Sequence, residues 1–138
     1  MKKETGIIRL IKAAGYSIEG LKTAWFSETA FRHETFAAVL LVPAALFLGQ
    51  DGTQKVLLAV PPLIVLVAEL LNSGLEAVVD RIGTDFHPLA KQAKDMGSAA
   101  VFVSILITIM AWTRASKFHP IFCPLFGPIA LILKSLSG

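Results

Sequence analysis

The chain has 138 residues, 54% of them apolar and only 17% charged, with a formal net charge of +3. That is too apolar for an ordinary water-soluble domain and points to a single small integral membrane domain. The small positive excess fits membrane topology and affinity for anionic lipid, not nucleic-acid binding, and the lone Cys123 excludes an intramolecular disulfide.

The chain opens Met1-Lys2-Lys3 and continues with polar residues, which is not the pattern of a leader peptide. Ile7, Ile11, Ala14, Ile18, Leu21 and Trp25 then recur at three- and four-residue spacings, with Arg9, Lys12, Glu19 and Lys22 on other faces. The spacing predicts an amphipathic helix over about residues 6–27. It can lie in the headgroup boundary or pack against a bundle, and Gly15 and Gly20 weaken it in isolation. Charged Glu28, Arg32 and Glu34 follow, just before a charge-free run over residues 35–50. A spanning helix needs about 20 apolar residues, so the first span is predicted over about 31–50, with Phe31 contributing.

The second apolar run, residues 56–79, predicts a span over about 54–80, yet it contains Glu69 and Glu76. Helical spacing places Glu69, Asn72, Ser73, Glu76 and Asp80 near one face. Ionisable groups at membrane depth are costly and face a bundle interior, a water-filled cavity or a ligand. A structural polar seam and a functional site both satisfy that rule. Pro61-Pro62, more than a turn earlier, predict a bend away from the acidic stripe.

Between the second and third runs, His87-Pro88 marks a turn or a helix start. Lys91, Lys94, Asp95 and Ser98 then share a face leading into residues 97–113, predicting a third span over about 92–115. Lys94 suits either a simple ion pair or a phosphate clamp opposite a metal held by carboxylates. The tail, residues 118–138, has an apolar stretch interrupted by Pro124 and Pro128. It reads better as an interfacial or poorly ordered segment than as a partial fourth span.

Three spans with the N-terminus inside place nine cations on the cytoplasmic side and four outside, as the positive-inside rule favours. The acidic stripe then lies in the cytoplasmic half of the second span. The segment Gly15 to Thr23 imitates a phosphate-binding loop, but it has one residue too many before Lys22 and no preceding strand. His33, His87 and His119 lack zinc-ligand spacing. Any chemistry must come from carboxylates and lysines at the membrane surface.

Several blocks carry a family resemblance: Lys12-Ala-Ala-Gly-Tyr-Ser17, Glu28 with Ala30-Phe-Arg32, Glu69-Leu-Leu-Asn-Ser73, Glu76-Ala-Val-Val-Asp-Arg-Ile-Gly83 and Ala93-Lys-Asp-Met-Gly-Ser-Ala-Ala-Val101. Together, over about residues 5–117, the chain resembles the small prokaryotic diacylglycerol kinases. The resemblance implies an all-α membrane protein: a homotrimer of three-span protomers, each with an N-terminal surface helix, sharing active sites between neighbours in the inner membrane. It implies that Glu69 is the catalytic base and that Glu28 and Glu76 hold Mg2+ on the phosphates of ATP. Lys94 is implied as a phosphate ligand, with Arg9, Tyr16, Asp80, Thr84, Asp85, Phe86, His87 and Asp95 around the nucleotide. The diacylglycerol site is implied to include Arg9, Ala13, Ala14, Gly15, Ser17, Ala30, Phe31, Arg32, Glu34, Glu69, Asn72, Ser98 and Trp112. The residues alone do not divide roles between Glu69 and Glu76; that division comes from the resemblance. An undecaprenol kinase of the same fold is the alternative, and a non-enzymatic transport subunit with Glu69 and Glu76 as a cation relay is a third reading.

Overall fold

A computed structural model describes residues 6–83 and 85–116, which form four helices. These are α1 (Gly6–Ser27), α2 (Thr29–Leu48), α3 (Gly52–Ile82) and α4 (Pro88–Ser116). The last three are long and apolar enough to cross a membrane. The fold is therefore the expected helical one, with a surface-type helix followed by three candidate spans. Helices α3 and α4 extend beyond the expected spans by a few residues at the loop ends, whereas α2 begins and ends two residues earlier than expected. The expectations for residues 117–138 lie outside the described residues.

Helix α2 follows α3, and α3 in turn packs along α4. The buried stripe of α2 is Phe31, Ala38 and Ala45, one residue every second turn. Small alanines let the α2 and α3 backbones come close, the usual device where lipid supplies no hydrophobic drive between helices. Leu58, Pro61, Pro62, Val65 and Glu69 line the buried side of α3. Much of the remaining apolar surface stays open, including Leu40, Phe47 and Phe102. Only a lipid or protein environment can cover so much of it.

The turn before α3 is sealed by side chains. Asp51 caps the helix by accepting the Gln54 N–H at 2.8 Å, and Gln54 Oε1 accepts the Gln50 N–H at 2.7 Å. This reciprocal arrangement satisfies backbone donors that a helix start leaves free. Gly49 has no room for a side chain, since a Cβ there would lie 2.9 Å from both Ala45 O and Lys55 Cα. At the other end, Pro88 opens α4, where a missing N–H costs nothing. His87 Nδ1 accepts the Leu89 N–H at 3.2 Å, so the predicted helix start at His87-Pro88 is what the chain forms.

Helix α3 has 31 residues, so at about 1.5 Å per residue it is roughly 46 Å long. A hydrocarbon core is about 30 Å thick. One end must therefore stand clear of the apolar layer. The helix passes Pro61 and Pro62 without interruption. Pro62 has no N–H to give the carbonyl four residues back, that of Leu58. Trp112 of α4 replaces it, donating from Nε1 to Leu58 O at 3.1 Å. An orphaned carbonyl is expensive in apolar surroundings, and Leu58 is almost fully buried. The hydroxyls of Thr35, Ser104 and Thr108 likewise donate to carbonyls of their own helices.

This bond yields a prediction. Trp112→Phe keeps the ring bulk but strips Leu58 O of its donor, and it is expected to lower stability by about 1 to 3 kcal/mol. Unfolding of the purified protein in detergent measures this; an unchanged midpoint would refute the role given to the indole.

Candidate active site

Polar residues gather where α3 emerges from the bundle. Glu69 is 5% exposed, the only charged side chain among the described residues that is buried. One and two turns further on lie Asn72 and Glu76, both half-buried, with Asn72 Nδ2 donating to Glu76 Oε1 at 3.3 Å. Glu28 stands between α1 and α2 as the N-cap of α2 and is half-buried too. Its carboxylate and that of Glu76 are both within electrostatic reach of Glu69. Glu34 of α2 feels the Glu69 charge as well, and its Oε2 is buried without a hydrogen-bond partner. Two helices and one joint thus bring together carboxylates that the sequence scatters over some fifty positions.

A cation, Lys94 of α4, stands at the outer end of this group. Its Nζ lies 2.6 Å from Asp80 Oδ1, and Glu76 is also within electrostatic reach. Of the two readings left open for Lys94, an ion pair forms in this structure, while 38% of the side chain remains open to the outside. An exposed pair of this kind is weak, so the ammonium can be drawn to a stronger anion. Lys91 and Asp95 pair in the same way on the neighbouring turn.

Glu69, Asn72, Glu76, Asp80, Glu28, Glu34 and Lys94 are thus brought to one region. Other expected site residues are placed differently. Arg9, Ala13, Ala14, Gly15, Tyr16 and Ser17 stand exposed on α1, and no described part of the chain covers them. Asp85, Phe86 and His87 are exposed in the turn before α4, and Ser98 is exposed on α4; Thr84 is outside the described residues. Ala30 is exposed, whereas Phe31 is buried and serves the core. Trp112, expected to meet lipid, turns its polar edge inward to Leu58.

Two neighbours of the site had no role in the sequence reading. Ser27 Oγ lies 3.2 Å from Glu28 Oε1. Gly97 of α4 faces Asn72, and a Cβ added there would collide with Asn72 Oδ1. Adjacency to Glu28 was the available signal for Ser27, but nothing local marked Gly97 as more than a small residue.

Among the described residues, no three His, Cys, Asp or Glu side chains form a ready metal cluster. That does not count against magnesium, which commonly takes one or two protein carboxylates and completes its shell with phosphate oxygens and water. Glu28 and Glu76 fit such a donor set.

A helical protein with three candidate spans and a carboxylate-rich site at one end of the bundle belongs among integral membrane proteins, and hard oxygen donors beside a partly exposed lysine suit phosphate chemistry. Comparison with known proteins narrows this. A profile of the prokaryotic diacylglycerol kinases matches residues 15–115. The chain is 50% identical over 108 residues to the diacylglycerol kinase of Escherichia coli (strain K12), covering 78% of this chain and 88% of that protein. It is 48% identical over 112 residues to the Haemophilus influenzae diacylglycerol kinase, covering 81% and 95%. The Pseudomonas aeruginosa diacylglycerol kinase is 42% identical over 111 residues, covering 80% and 90%. The chain belongs to the prokaryotic diacylglycerol kinase family.

The close approach at Gly97 generates a second prediction. Gly97→Ala forces Asn72 away from α4 and is expected to cost about 1 to 3 kcal/mol as an overpacked contact. Combining it with Asn72→Ser, which shortens the opposing side chain, should restore part of that loss. Strictly additive effects in the double variant would show that the two residues do not press on each other.

Proposed function

We propose that the protein transfers the γ-phosphoryl group of ATP to the primary hydroxyl of diacylglycerol, giving phosphatidic acid and ADP. The observation that carries this is Glu69, buried among carboxylates in a chain whose relatives are diacylglycerol kinases. The relatives point to the acceptor, the family resemblance divides the roles, and the burial of Glu69 supports its part as base.

Glu69 acts as general base. Buried at 5% exposure, its carboxylate is withdrawn from bulk water and meets a lipid hydroxyl arriving from the side. As the hydroxyl oxygen bonds to the γ-phosphorus, its proton passes to Glu69 and the bond to the β–γ bridging oxygen breaks. The electron pair leaves with ADP. Glu28 and Glu76 would hold magnesium, which would supply neutralisation of charge on the transferring group. Asn72 fixes one oxygen of Glu76 through its amide, leaving the other for that task. Lys94 exchanges its exposed Asp80 partner for phosphate oxygens.

The nucleotide is further held by Arg9, Tyr16, Asp80, Asp85, Phe86, His87 and Asp95. The lipid lies against α1 residues 13–17, the start of α2 and Ser98. The α1 residues stand exposed within one chain, which suits surroundings completed by a neighbouring copy; the homotrimer itself rests on the family resemblance. The nine-to-four distribution of cations sets the N-terminus and the acidic end of α3 on the cytoplasmic side of the inner membrane, where ATP is found.

The purified protein, given labelled ATP and magnesium with diacylglycerol or undecaprenol in separate reactions, should label diacylglycerol. Labelling of undecaprenol alone would transfer the assignment to the other acceptor, and labelling of neither would end it. Glu69→Gln is expected to retain the fold and nucleotide binding while losing about a hundredfold or more in turnover, the usual size of a general-base contribution. Turnover within tenfold of the native protein would remove Glu69 from that role. Glu28→Gln and Glu76→Gln should each raise the magnesium concentration needed for half-maximal activity. An unaltered magnesium curve in both would dismiss them as ligands.

A further inference from the structure

Glu28 is the single residue between two long helices, so its carboxylate is only as well placed as that joint is rigid. The joint is held mainly by Arg32, one turn into α2. Its Nη1 donates to Trp25 O at 3.0 Å and to Phe26 O at 3.3 Å, two carbonyls that the end of α1 leaves without an internal donor. Its Nη2 donates to Thr29 Oγ1 at 2.8 Å, on the first residue of α2. The guanidinium thus ties the last turn of α1 to the first turn of α2 across Glu28. The backbone of Glu28 is held on both sides as well: its N–H donates to Ala24 O at 2.9 Å, and its C=O accepts the Arg32 N–H at 3.4 Å.

Elsewhere α1 has little to fix its angle. Its one buried residue is Ala24, and the edge-on contact of Trp25 with Phe36, ring centres 5.8 Å apart, lies in the same last turns. A pivot of α1 about residue 28 is resisted chiefly by the Arg32 clasp and these few contacts.

We infer that Arg32 is a positioning residue for Glu28, holding the α1–α2 joint at the angle that points the carboxylate toward Glu69 and Glu76. The inference rests on the reading of Glu28 as a magnesium ligand. It assigns the three described Arg32 side-chain hydrogen bonds to the joint, not to the lipid. A guanidinium suits this work because it is a planar fork able to serve separate acceptors together, and an ammonium on a flexible stem is not equivalent.

The test uses the full chain in lipid–detergent micelles, with the magnesium dependence of binding of a non-hydrolysable ATP analogue measured by calorimetry beside activity with magnesium varied at saturating lipid and lipid varied at saturating magnesium. Arg32→Lys is expected to raise the half-activating magnesium concentration about fivefold, the scale of one ordinary hydrogen bond, while the KM for diacylglycerol moves less than about twofold. Thr29→Val, which cuts one strand of the clasp and leaves the carbonyls capped, should shift magnesium demand in the same direction by less. It decides the matter if Arg32→Lys does not fold. In a Glu28→Gln background the Arg32→Lys shift should vanish, since both act through one ligand. A raised lipid KM with an unchanged magnesium curve would make Arg32 a lipid contact and overturn the inference. If Glu28→Gln raises magnesium demand while neither clasp variant does, the positioning role alone falls. If Glu28→Gln itself leaves magnesium demand unchanged, the ligand reading falls and the inference goes with it.

Discussion

An apolar helical bundle offers no water to a stray polar group, and the arrangement of this chain follows from that constraint. Where a proline strips a carbonyl of its partner, an indole from the next helix supplies one, as Trp112 does for Leu58. Hydroxyls inside the spans hand their protons to their own backbone. The end of α1 is capped by a guanidinium from α2. Against this background of satisfied groups, the exceptions cluster: Glu34 Oε2 and Asn72 Oδ1 are buried without partners, and both belong to the acidic region around Glu69. Unmet hydrogen-bonding capacity is concentrated where a substrate would bring it.

The same region is electrostatically unbalanced. Glu28 and Glu76 act on Glu69, and Glu69 acts on Glu34, while Lys94 spends its charge on Asp80 at the outer edge. A cluster of like charges in a medium of low polarity is unstable unless a cation or a proton joins it. On the proposed reading, the nucleotide arrives with its magnesium and supplies that positive charge, and its phosphates give Lys94 a stronger partner than the exposed Asp80. The imbalance thus favours the loaded state over the empty one, and substrate binding relieves a cost already built into the fold.

Much of this was legible in the sequence, for reasons that also mark where legibility stops. The acidic stripe on α3 follows from helical spacing alone, because residues 69, 72, 76 and 80 fall on one face whatever the tertiary structure does. Helix limits followed from apolar run lengths and from punctuation such as His87-Pro88. Periodicity reports a face, however, and not what meets it. It could not show that Trp112 would turn inward, since the reason is a carbonyl on another helix freed by Pro62. Gly97 looked like any small residue until the approach of Asn72 excluded a side chain there. Phe31 was grouped with the lipid site by its neighbours in the chain, yet its burial places it in the core. Nor could spacing join Glu28 to Glu69, which are brought together only by the packing of α2 on α3.

The site is unevenly supported within the chain, and that unevenness bears on how it works. Glu69, Asn72, Glu76 and Asp80 ride on α3, a helix flanked by both α2 and α4, so their relative positions are fixed by continuous backbone and packing. Glu28 reaches the same place from a one-residue joint, at the end of a helix that is otherwise almost entirely exposed. Phosphoryl transfer depends on placing reacting groups more than on covalent chemistry by the protein, so the less supported element governs how often the full set is aligned. Packing on α3 and the Arg32 clasp at the α1–α2 joint thus meet one demand by two means: carboxylates from separate elements held at one site.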